Sequence, residues 1–168
     1  MDFLIHSILL PWWFALPGYI GNICPGLARK FPGGTAPVSV THLGPNKTWA
    51  AIPAALTGAG TVAYLQSLLS YPLAYPATKW WVVALCFGFG VPLGDWSKSF
   101  LKRRRGIAPG GKWWVEKIDF LVASFLLFAV TGTVLPLPYY LVPVIFYILV
   151  HGPGNAQSFK LGWRNSPH

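Results

Sequence analysis

The stretch from Gly94 to Gly106, GDWSKSFLKRRRG, places a carboxylate, hydroxyls and a run of cations directly after an apolar segment. On a helix, Asp95, Lys98, Ser99 and Lys102 stand at i, i+3, i+4 and i+7 and share one face. That stripe joins a hard-oxygen metal ligand to donors for phosphate, and Arg103 and Arg104 prolong its cationic end. The chain has four acids in all. Asp2 is terminal, and the other three, Asp95, Glu116 and Asp119, fall at the two ends of one basic loop. Glu116 and Asp119 are again i, i+3, at the start of the next apolar run, where the positive end of a helix dipole stabilises anions. A carboxylate at a membrane border is costly unless paired or metal-bound, so these three are expected to share a site or form salt bridges. Three carboxylates beside Lys and Arg suit Mg²⁺ carrying a nucleoside triphosphate, with the metal bridging phosphate oxygens and the cations neutralising the rest. Ordinary ion pairs, Asp95 with Lys98 and Glu116 with Lys112, explain the same spacing equally well. The RRR run needs no more than a role in orienting the chain across a membrane.

A second patch lies upstream in THLGPNKTWAA. Asn46, Lys47 and Thr48 precede a predicted helix, where Asn or Thr can cap and free N–H groups attract phosphate. Capping accounts for Asn46 and Thr48; Lys47 is the member that capping does not need. In LPGYIGNICPG, Asn22 follows Gly21 at the predicted end of the first helix, as part of a terminal turn or as an uncharged ligand to nucleotide or metal. The histidines His6, His42, His151 and His168 have no metal-motif spacing, and neither GxSxG nor a P-loop occurs. Cys24 and Cys86 form no CxxC pair and are expected to be reduced and structural.

The elements that must hold these residues are membrane helices. Of the 168 residues 54% are hydrophobic and 10% charged, against about 25% charged in a soluble domain. The expected fold is a single all-α polytopic membrane domain, residues 1–168, with about five spans at 3–21, 49–70, 79–94, 118–134 and 137–151 and two long loops between them. Pro136 and Pro138 in TVLPLPYY mark the break between the last two spans, and the pairs Trp80–Trp81 and Trp113–Trp114 suit headgroup-level anchors. Twelve of the 13 basic residues lie in the 22–48 loop, the 95–117 loop and the tail. Five spans put these on one face, leaving only Lys79 near the other. By the positive-inside rule both loops and the C-terminus are cytoplasmic and the N-terminus is outside. The N-terminal segment lacks the positive n-region of a cleaved signal and is expected to remain as a span.

Taken together, GDWSKSFLKRRRGIAPGGKWWVEKIDF, LPGYIGN and GPNKTWAA resemble the CDP-archaeol synthase family, relatives of the phosphatidate cytidylyltransferases, over nearly the whole chain. The resemblance implies cytidylyl transfer from CTP to a membrane lipid phosphate, giving a CDP-lipid and pyrophosphate. It implies Mg²⁺ on Asp95, Glu116 and Asp119, catalytic roles for Asp95, Lys98 and Asp119, and substrate binding by Asn22, Asn46, Lys47, Thr48, Ser99, Lys102, Arg103 and Arg104. The lipid it implies is an unsaturated isoprenoid ether phosphate, with phosphatidate-like lipids left open; no nucleic-acid partner is expected. Three positions in two places depart from the family pattern. Glu116 stands where Asp is usual, and Ala50–Ala51 replace an Arg-Gly pair that commonly follows Lys-Thr-Trp. The different class of reading is a nonenzymatic small transporter or anionic-lipid scaffold, for which total loop charge matters and the acids do not. A CDP-alcohol phosphotransferase would need more acids than the chain has.

Overall fold

The computed structural model describes residues 2–69, 79–108 and 118–160, with the backbone alone from 151 onward. The regular structure among the described residues is helical, as the all-α expectation requires, apart from one isolated antiparallel bridge between Pro37 and Thr48. Its helices are α1 (Asp2–Ala28), α2 (Ala51–Ser67), α3 (Trp80–Arg104), α4 (Asp119–Val130) and α5 (Pro138–Lys160). Among the described residues, α1 alone is both long and apolar enough to cross a bilayer by itself; α4 and the Pro138–Val150 part of α5 are apolar but shorter. At 1.5 Å per residue α4 rises only about 18 Å.

Prolines inside these helices leave carbonyls without their usual donor, and the packing answers one of them directly. Pro17 cannot donate to the carbonyl of Trp13, four residues back. The side chain of Gln66, buried on α2, donates to that oxygen instead, at 2.7 Å. One polar group in an apolar bundle is thereby matched to one freed acceptor, the way membrane helices tolerate proline. α1 also contains a π-helical stretch, Ile5–Leu9, that ends two residues before Pro11.

The core is aromatic at one end and small at the seams. Phe14 of α1, Phe87 of α3 and Phe128 of α4 are almost fully buried, with ring centroids 5.3 to 5.7 Å apart. Such edge-on and tilted pairs suit the ring quadrupole. Between helices, small residues let backbones approach closely: Gly58 lies against Cys24, Gly88 against Leu56 and Gly90 against Ser124. This is how helices associate where lipid removes the hydrophobic driving force.

Two helix ends are closed by glycine, that of α3 near the basic run and that of α4 at its far end from Asp119. Gly106 has φ +70° and Gly132 φ +74°, and in both turns the next residue donates back to the carbonyl five before it (Ile107 to Lys102, Thr133 to Phe128). This left-handed stop satisfies the last carbonyls of α3 and α4. The apolar run 79–94 therefore does not coincide with a helix: α3 continues through the polar stretch to Arg104 as one rod.

Candidate active site

α3 supplies most of the site because its polar half continues the helix of its apolar half. Asp95 and Lys98 form an i, i+3 pair at 3.0 Å. Lys98 also reaches Asp119, the first residue of α4, at 2.6 Å. Lys47, from the loop before α2, donates to both carboxylate oxygens of Asp95 at 2.7 and 2.6 Å. The result is an alternating chain, Lys47–Asp95–Lys98–Asp119, that ties three segments far apart in sequence. It lies where α1 and α3 end and α2 and α4 begin.

Close backbone packing brings Asp119 within reach of Lys98. Gly94 faces the start of α4 so tightly that a Cβ there would fall 2.5 Å from the Asp119 carbonyl oxygen and 2.7 Å from the Phe120 Cα. Only glycine fits at this crossing. The Gly-Asp dipeptide thus has two functions: its first residue sets the spacing between helices and its second supplies the charge.

Asp95 and Lys98 lie past the apolar run, and their charges hold one another in the ionised form. Burial pushes the Asp95 carboxyl upward, but Lys47 and Lys98 outweigh it and hold it below the usual aspartate range. Burial alone would lower Lys98; Asp95 and Asp119 more than reverse that and hold its ammonium well above the ordinary lysine value. A depressed carboxyl contributes stability that is present above the unfolded-state pKa and is lost as pH falls through the folded one. Protonating Asp95 removes the counter-charge that Lys47 meets and one of the two that hold Lys98.

Ser99 and Lys102 are buried on the same helix face, with 5% and 6% exposure. One position further on, the Nε and Nη1 of Arg103 are buried and have no hydrogen-bond partner among the described residues. Guanidinium N–H groups in that state are donors waiting for an acceptor, and the planar fork suits phosphate. Arg104 lies on the opposite side of α3, exposed and stacked over Phe100 at 4.9 Å. It is not brought to the carboxylates.

Three other residues singled out from sequence take different places from those expected. Asn46 and Thr48 do not cap α2, whose N-cap is Ala50 with no side-chain bond. Thr48 is buried with 2% exposure in the bridge to Pro37, where Val38 N–H donates to the Lys47 carbonyl and Trp49 N–H to that of Ala36. Asn46 accepts from Arg29 at 3.0 Å. Asn22 is not at a helix end, because α1 runs on to Ala28 through Pro25; its amide donates to the Tyr147 hydroxyl at 2.9 Å. Glu116 and Lys112 lie outside the described residues. Ala51, one of the positions that depart from the family pattern, is buried with 8% exposure at the start of α2.

The loop carrying Lys47 is tethered to α3 by this ion pair and by Trp49, whose ring meets Trp96 edge-on at 5.8 Å. Lys47→Met is expected to loosen the loop by about 1 to 2 kcal/mol, the usual contribution of a half-exposed charge-assisted hydrogen bond. Hydrogen exchange at the Val38 amide should then accelerate roughly tenfold. Unchanged exchange would mean that the Pro37–Thr48 bridge holds the loop without the lysine.

Comparison with known proteins turns this geometry into an assignment. Residues 4–168 match the family model described as CarS-like, CDP-archaeol synthase. The chain belongs to the CDP-archaeol synthase family. It is 31% identical to the CDP-archaeol synthase of Thermococcus gammatolerans, covering 97% of this chain and 98% of that protein. Against the Pyrococcus furiosus CDP-archaeol synthase the identity is 26%, over 97% and 99%. A solved structure described as an intramembrane enzyme for archaeal membrane lipid biosynthesis shares the fold, with TM-score 0.71 and 24% identity over 88% of this chain and 94% of that one. As a member of the family the chain is a CTP-dependent cytidylyltransferase of a membrane, acting on a lipid phosphate. That membership does not favour a nonenzymatic transporter or scaffold.

Proposed function

We propose that this CDP-archaeol synthase family member transfers a cytidylyl group from CTP to an unsaturated isoprenoid ether lipid phosphate in a Mg²⁺-dependent reaction at the Lys47–Asp95–Lys98–Asp119 chain. The observation carrying this reading is that Lys98 draws two carboxylates from different helices together, on the helix whose Arg103 keeps two buried guanidinium nitrogens without a partner among the described residues. A purely topogenic basic loop requires neither.

The donor set fits Mg²⁺. Both carboxylates offer hard oxygen ligands, and Mg²⁺ usually takes only one or two carboxylates and completes its shell with phosphate oxygens and water. Asp95 and Asp119 would hold it, joined by Glu116 from beyond the described residues. Among the described residues no group of three His, Cys, Asp or Glu side chains gathers. When bound, the metal would supply Lewis-acid polarisation of the phosphates.

The remaining work falls to the chain's own side chains. A lipid phosphate oxygen attacks the α-phosphorus of CTP; the new phosphate–phosphorus bond forms as the bond to the β-phosphate oxygen breaks, and pyrophosphate leaves with that electron pair. The nucleophile is already an anion, so no general base is needed. The difficulty is repulsion between two phosphorylated reactants, and Lys47, Lys98, Lys102 and Arg103 offset it by neutralising and orienting them. Ser99 adds a neutral donor on the same face. Lys47 and Lys98 can exchange a carboxylate partner for a phosphate one without leaving the site, because each is a flexible point charge. In this reading five helices cross the bilayer, with the site and both long loops on the cytoplasmic side and the N-terminus outside. The site then lies at the depth where a lipid phosphate sits, while its chains stay among the apolar helices.

Purified protein supplied with CTP, Mg²⁺ and a panel of isoprenoid ether and acyl lipid phosphates is expected to release pyrophosphate fastest with the unsaturated ether lipid, and chelation with EDTA should abolish release. Equal rates with and without divalent metal would remove Mg²⁺ from the mechanism. A preference for phosphatidate would assign a different lipid.

A further inference from the structure

The described side chains of α5, those before residue 151, contribute no charge to the chain of ion pairs, yet two polar residues of α1 grip this helix. Asn22 donates to the Tyr147 hydroxyl at 2.9 Å, and the Tyr19 hydroxyl donates to the Pro143 carbonyl at 2.8 Å. Pro143 and Tyr147 are i, i+4 on α5, as Tyr19 and Asn22 are i, i+3 on α1, so the two bonds form a two-point clamp between facing stripes. The rings of Tyr19 and Tyr147 stack at 5.8 Å with planes 9° apart. The clamp holds Phe120. Its ring is 1% exposed and receives Tyr147 edge-on at 4.8 Å and Tyr19 at 6.2 Å. Phe120 follows Asp119 directly, so the ring whose position the clamp fixes is one peptide away from the carboxylate that Lys98 holds.

Apolar packing alone would not need these polar atoms, since a leucine and a phenylalanine could fill the same space without an amide or a hydroxyl to satisfy. A hydrogen bond does what dispersion cannot, by fixing the rotation of α5 about its own axis and hence the ring edge presented to Phe120. We propose that Asn22 and Tyr147 are positioning residues that orient Asp119 through Phe120, and that Asn22 makes no contact with substrate. This rests on the reading of Asp119 as an active-site carboxylate.

The test is a double-mutant cycle on the full-length protein in detergent or nanodiscs. Tyr147→Phe keeps the ring and removes only the hydroxyl; Asn22→Ala removes its partner. Each is expected to lower kcat about tenfold, as loss of an outer-shell partner commonly does. KM for CTP and for lipid should change less than twofold, and the double variant should be no worse than either single one. Mn²⁺ retention by the CTP-loaded protein, read by electron paramagnetic resonance, should weaken severalfold in both. A Tyr147→Phe enzyme with wild-type kcat, beside an impaired Asn22→Ala, would overturn the proposal and make Asn22 a direct ligand. Lower melting temperatures with unchanged kcat would also overturn it, leaving the clamp a structural contact only. Asp119→Asn, assayed in parallel, separates the two levels: its activity would remove the underlying reading, whereas its inactivity with a normal Tyr147→Phe removes only the coupling. Should Asn22→Ala accumulate poorly, Tyr147→Phe carries the test alone.

Discussion

Asp95→Asn is expected to lower cytidylyl transfer by about a thousandfold or more, the range seen when a group stabilising transition-state charge is removed, while the protein still enters the membrane and keeps its helices. The side chain changes by one atom in shape and by a full charge. Among the described residues only Asp95 meets both Lys47 and Lys98, so the amide takes one counter-charge from each of two ammonium groups and a hard oxygen ligand from the proposed metal site. Breaking a fully buried pair costs about 3–5 kcal/mol. The Asp95 side chain keeps 33% exposure, and solvent screening brings the expected loss of stability down to about 1–2 kcal/mol. Pyrophosphate release at saturating CTP, compared with far-ultraviolet circular dichroism of the same preparation, separates loss of chemistry from loss of fold. A rate within tenfold of wild type would take this carboxylate out of the reaction.

Gly94→Val is expected to do the next largest damage without touching a charge. The added atoms would meet backbone, the Asp119 carbonyl and the Phe120 Cα, which cannot rotate away as a side-chain tip can. Overpacking of this kind costs about 1–3 kcal/mol or more. The start of α4 must shift outward, carrying Asp119 away from Lys98, and a displacement of about 1 Å in a reacting group costs roughly a hundredfold in rate. Gly26 provides the contrast. It lies in α1 with no atom within 4 Å of where a Cβ would be, so Gly26→Ala should leave the rate unchanged and stabilise the helix by up to about 1 kcal/mol. Melting temperature and kcat of the two variants check this together. A normal melting temperature and rate for Gly94→Val would mean that α3 and α4 do not approach as closely as described.

The all-helical class, the membrane setting and the acid and base types of the site were legible in the chain, because composition and spacing along one helix are local properties. Asp95, Lys98, Ser99 and Lys102 share a face for no reason beyond the 3.6-residue turn. Arg104, expected to bind substrate with the rest of the basic run, is instead exposed and stacked on Phe100. Helix ends were less legible. Asn46 and Thr48 have capping chemistry but stand too early, since the Pro37–Thr48 bridge commits Thr48 to a β-like pairing before α2 begins at Ala51. Asn22 precedes a Cys-Pro-Gly run that looks terminal, yet α1 passes through it to Ala28.

By itself, the sequence determined which groups can carry charge in this protein and that they follow or precede apolar runs. Only the tertiary structure decided which partners they take. Lys47 and Asp95 are 48 residues apart and meet at 2.6 Å. Lys98 chooses Asp119 as well as its helical neighbour because a glycine lets two backbones touch. Long-range pairing depends on which helix faces which and at what distance. Those quantities are set by the summed packing of small residues and rings along whole helices, and no single motif encodes them.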